Sequence, residues 1–70
     1  MSNTQIKIGS NLVGLGDYVG FKCDVEQGGK VIGIDSSRRR FLLENVNGFA
    51  GGYIGGDTET YVDFRDCWTD

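Results

Sequence analysis

Glycine occurs twelve times in these seventy residues and proline never. That pairing constrains the fold more than any other feature. Glycine supplies positive φ at tight turns and bulges, and it weakens helices. Between the glycines lie short runs of β-branched and aromatic residues that alternate with polar ones. The pattern predicts short strands joined by tight corners rather than a disordered chain.

Alternation places the strands. Gln5 to Ile8 reads as a first short strand after a frayed tail at residues 1–4. Gly9 to Gly16 reads as a loop, with Leu12, Val13 and Leu15 tucked against the core. Asp17 to Cys23 is a strand with Val19, Phe21 and Cys23 on one face. Asp24 to Gly29 reads as a turn, and Lys30 to Asp35 as the next strand, with Gly33 as a bulge or bend. Ser36-Ser37-Arg38 connects to a third strand, Arg39 to Asn45. These three strands predict an antiparallel meander.

Asn45 to Asp57 is glycine-rich, with turn signals at Asn47-Gly48 and Gly56-Asp57. Thr58 to Phe64 alternates as a last strand, and one helical turn is expected near Arg65-Asp66-Cys67-Trp68. A sheet this short has a bare apolar face and open edges, and curling it into a barrel removes both. The fold class is therefore all-β: a small antiparallel barrel of about five strands, one domain over residues 1–70.

Gly16-Asp17-Tyr18-Val19-Gly20-Phe21, Gly29-Lys30-Val31-Ile32-Gly33-Ile34-Asp35 and Arg40-Phe41-Leu42-Leu43-Glu44 resemble the KOW pattern of SH3-like barrels. The resemblance covers residues 16–44 and implies an SH3-like, KOW-like barrel and a nucleic-acid-binding module. Asp24 and Glu26 depart from it, because KOW loops are usually basic there. The Gly48-to-Gly56 stretch and the Asp66-Cys67-Trp68 ending also resemble small uncharacterised proteins of tailed phages and prophages. That likeness implies a modulator of a host protein, with no assigned activity.

The side chains that most catalysis needs are scarce. Histidine is absent, which removes histidine-based triads and most catalytic zinc sites. Cys23 and Cys67 lack metal-site spacing and read as small buried hydrophobes, or as a disulfide if the chain ends meet. Arg65 beside Cys67 is the one nucleophile candidate. Asp57 with Glu59 could hold a divalent cation but lacks EF-hand spacing. No phosphate-loop motif is present. The expectation is a non-enzyme without cofactor or metal.

Binding is the expected work, and two surfaces are candidates. Tyr18, Phe49, Tyr53, Tyr61 and Trp68 are the aromatic residues expected at the surface as anchors for a protein partner, with Phe21 and Phe41 in the core. Arg38, Arg39 and Arg40 with Lys22 and Lys30 are the alternative, a basic patch for nucleic acid. Alternation puts Arg38 and Arg40 on one face and Arg39 on the other. The net charge of −3 argues against general nucleic-acid binding. A homodimer through edge strands would suit so small a core. The sequence has no apolar run long enough to span a membrane and no signal peptide, so a cytoplasmic setting is expected.

Overall fold

The computed structural model describes residues 5–23, 25–51 and 55–69. Its strands are β1 (Ile6–Ile8), β2 (Asn11–Val13), β3 (Tyr18–Cys23), β4 (Val25–Asp35), β5 (Arg40–Glu44) and β6 (Glu59–Asp63). A 3-10 turn, Phe64–Asp66, follows β6. All described pairings are antiparallel. The fold is all-β, with a two-stranded sheet β1-β2 and a four-stranded sheet in the order β3-β4-β5-β6.

The expected meander forms, and it curls. The chain leaving β6 returns to the outer edge of β3, where the N–H of Gly20 donates to the Trp68 carbonyl at 2.8 Å. The Trp68 N–H donates back to the Gly20 carbonyl at 2.9 Å. This bridge covers part of the outer edge of β3. Asn11 Nδ2 donates to Thr69 Oγ1 at 2.7 Å and ties the β1-β2 hairpin to the same closing segment.

Three local expectations are corrected. Gly9 to Gly16 is not wholly a loop. Gly9, at φ +61°, and Ser10 form a tight turn that pairs Ile6 with Val13 and Ile8 with Asn11. Val13 tucks into the core as expected, whereas Leu12 and Leu15 are exposed. The expected turn over residues 24–29 is corrected at Val25 to Gly29, which lie in β4, with Cys23 paired to Val25; Asp24 lies outside the described residues. Gly28 and Gly29 are strand residues where neighbours crowd in. A Cβ at Gly29 would stand 3.0 Å from Leu43 Cβ and 3.1 Å from Phe49 Cζ. Close approach explains that glycine better than turn chemistry does.

Gly33 sits at a bulge, as expected. The β4-β5 register shifts between Val31 and Gly33, which leaves Ile32 as the extra residue. The shift returns Ile34 to the face of Val31, so both meet the core instead of opposing each other.

The core joins Ile8 and Val13 of the hairpin to Val19 and Phe21 of β3, Val31 of β4, and Phe41 and Leu43 of β5. Cys67 and Phe49 complete it. Phe49 is 3% exposed and meets Phe21 edge-on, with ring centroids 5.5 Å apart. Its assignment to the surface is thereby corrected. The glycine-rich segment thus sends Phe49 into the core between the sheets. Backbone bonds hold it there: Phe49 N–H to the Asp57 carbonyl at 2.7 Å, and Gly56 N–H to the Phe49 carbonyl at 2.8 Å. The Gln27 amide clamps the next residue, with Nε2 donating to the Ala50 carbonyl and Oε1 accepting the Ala50 N–H, both at 2.9 Å.

Candidate functional site

Tyr18 and Trp68 are the two aromatic residues of the expected surface set that the fold brings together. Tyr18 opens β3 on the face away from the core, two residues before Gly20. Trp68 bridges to Gly20 and lays its indole on it. A Cβ at Gly20 would stand 2.6 Å from Trp68 Cε2, inside contact distance, so only glycine accepts the ring. Gly20 pairs with Gly28 across the strands. The result is a shallow slot of about 230 Å³ with a glycine floor between Tyr18 and Trp68. Tyr18 is 72% exposed and Trp68 40%. A second groove of about 270 Å³ lies against Tyr18, lined by Lys30, Glu44, Asn45, Val46 and Asn47. Tyr18 is thus a ridge between two grooves, one aromatic and one polar with Val46 exposed in it.

Two further aromatic residues of the expected set, Tyr61 and Phe49, do not join this surface. Tyr61 is exposed on β6, but its ring covers the Arg40 guanidinium, 4.0 Å from centroid to Cζ. Phe49 is in the core. Tyr53 lies outside the described residues.

The expected basic patch is divided by the fold. Arg40 sits across β5 from Asp35 and Asp63. Its Nε is buried and lies 3.6 Å from Asp35 Oδ2, an ion pair rather than a hydrogen bond. Asp35 also accepts the Ser37 hydroxyl at 2.8 Å and the Arg38 N–H at 3.2 Å. The Ser37 bond is the main cause that holds the Asp35 carboxyl below the usual carboxylate range; Arg38 and Arg40 add to it. Lys22 and Lys30 stand on β3 and β4, opposite Glu26 and Glu44 respectively.

Arg38 and Arg39 leave the strand pattern altogether. They lie in the β4-β5 turn, so the alternation that separated them does not apply. Both line a cleft of about 570 Å³ with Lys7, Ile8, Gly9, Asp63, Phe64, Arg65 and Cys67. Sequence reading missed Lys7 and Arg65 as neighbours of this turn. No local signal could have joined them, because the contact depends on where the hairpin and the 3-10 turn dock.

Cys67, the nucleophile candidate beside Arg65, is buried. Burial, then the charges of Asp66 and Asp63, push its thiol up to about 12. Its S–H donates to the Asp63 carbonyl at 3.4 Å, and it is a free thiol. The side chain of Cys23 lies outside the description. Among the described residues no group of three or more carboxylates and thiols could hold a metal. No described helix is long and apolar enough to cross a membrane. The chain matches no family model, no curated protein and no solved structure.

Proposed function

We propose that this chain is a non-catalytic protein-binding module that engages its partner through Tyr18 and the grooves on either side of it. The observation that carries the reading is Trp68 seated on Gly20 beside an exposed Tyr18. The fold holds Trp68 by a backbone bridge on both sides of its Cα, so little entropy is lost when a partner covers it. Tyr and Trp fixed in this way are the residue types that dominate interface energetics. A partner side chain can enter the glycine-floored slot while its backbone crosses Tyr18 into the groove beside Val46. If the likeness to small phage proteins extends to function, that partner is a host protein.

A catalytic role has little support. The one candidate nucleophile is a buried, protonated thiol. The test is a pull-down from host lysate, with captured proteins quantified by mass spectrometry. Tyr18→Ala should release the partner that the wild-type chain holds, because Tyr18 contributes surface and no core. Undiminished capture by folded Tyr18→Ala and Trp68→Ala variants would remove this face.

A further inference from the structure

The cleft beside the β4-β5 turn concentrates positive charge in a negatively charged chain. Lys7, Arg38, Arg39 and Arg65 line it, four of the seven lysines and arginines. Asp63 is the carboxylate among them. Only weak surface pairing relieves this crowding: Arg65 lies 3.9 Å from Asp63, and Arg38 lies 3.9 Å from Asp35. Lys7 and Arg39 make no ion pair among the described residues. Four cations around one hollow repel each other, and an anion between them relieves that repulsion.

Arg39 is held there at a conformational cost. Its φ is +55°, a region that favours glycine, and it is the one described non-glycine residue there. The back of the cleft is apolar. Ile8 belongs to the core, and Phe64 is fixed against Phe41 with ring centroids 4.6 Å apart. The volume of about 570 Å³ falls in the range of small-molecule sites. An apolar wall with a cationic rim fits a ligand that has an organic body and a phosphate group.

We propose that this cleft binds a small organic phosphate of about mononucleotide size. Lys7, Arg38, Arg39 and Arg65 would hold the phosphates, and Ile8 and Phe64 would take the organic body. A polynucleotide fits less well. Lys22 and Lys30 do not line the cleft, and the strands beyond Arg40 carry Asp35, Glu44, Glu59 and Asp63. A strand leaving the cleft across that face would meet acids. The site shares no residue with the Tyr18 surface and stands independently of it.

The test is an NMR titration of the isotope-labelled chain with ATP as the probe, at about 50 mM and about 200 mM salt. Adenosine, inorganic tripolyphosphate and a thymidine oligonucleotide serve as comparisons. Saturable shifts at the amides of Lys7, Arg38, Arg39 and Arg65 are expected, with weaker binding at the higher salt. Arg39→Gly and Lys7→Met should each weaken ATP about tenfold. Adenosine should bind weakly. Tripolyphosphate equal to ATP would remove the role of the apolar wall and overturn the proposal. So would shifts that are absent or scattered, or variants that bind like wild type. An oligonucleotide that binds more tightly than ATP would overturn it in favour of nucleic acid.

Discussion

Replacing Arg39 by glycine should make the protein more stable. Arg39 holds a left-handed backbone conformation at φ +55° in the β4-β5 turn. For an L-residue that conformation costs about 1–2 kcal/mol. Glycine removes the cost but loses about 0.5–1 kcal/mol more chain entropy on folding. The Arg39 side chain is exposed, so little packing goes with it. Its carbonyl still accepts the Phe64 N–H at 2.9 Å, because that bond belongs to the backbone. The net expectation is a gain of about 0.5–1 kcal/mol, which in a domain of this size raises Tm by roughly 2–8 °C. Thermal melts followed by circular dichroism would measure it. Arg39→Ala is the internal control, since it deletes the guanidinium and keeps the strain. A Tm for Arg39→Gly at or below that of Arg39→Ala would refute the strain argument.

Two other outcomes follow from the core and from its thiol. Phe49→Ala removes a buried ring from against Phe21 and should cost about 3–5 kcal/mol. A core of this size yields about 3–5 kcal/mol in total, so the variant should lack a cooperative melt; a wild-type melting curve would return Phe49 to the surface. The Cys67 thiol stays protonated when folded up to about 12, whereas an unfolded thiol ionises near 8.5. The unfolded state therefore gains by ionising first. Stability should be unaffected below that pH and fall as pH rises toward 12, by at most about 1.4 kcal/mol per unit. Cys67→Ala should flatten this alkaline slope in denaturant titrations, and an unchanged slope would assign it to other groups.

The meander was legible because β3 and β5 alternate cleanly and its links are short. Val19 and Phe21, or Phe41 and Leu43, identify their buried face without help from elsewhere. The Gly28-Gly29 pair misled because glycine marks both turns and close approaches. Only the positions of Leu43 and Phe49 show which role Gly29 has. Phe49 reads as a surface residue in the sequence because so small a core has no room for every aromatic side chain. Its burial depends on backbone bonds to Gly56 and Asp57 and on the Gln27 clamp at Ala50. The candidate sites were readable as residue types but not as groupings. Tyr18 and Trp68 meet because the chain end returns to Gly20, and Lys7 and Arg65 meet Arg38 and Arg39 through docking. Tyr61 and Arg40, taken as members of different surfaces, cover each other instead.

Photo-crosslinking from position 18 tests the binding account most directly. A photoreactive phenylalanine analogue replaces Tyr18, where it stands in solvent and disturbs no core contact. Irradiation in host lysate should join the chain to one partner, and a Trp68→Ala background should reduce that product. The same analogue at Tyr61, which is 52% exposed but turned onto Arg40, is the comparison. A partner captured from position 18 and not from position 61 is the predicted result. Equal capture from both positions, or none from position 18 while the partner still co-purifies, would contradict the assignment of Tyr18 and Trp68 as the binding surface.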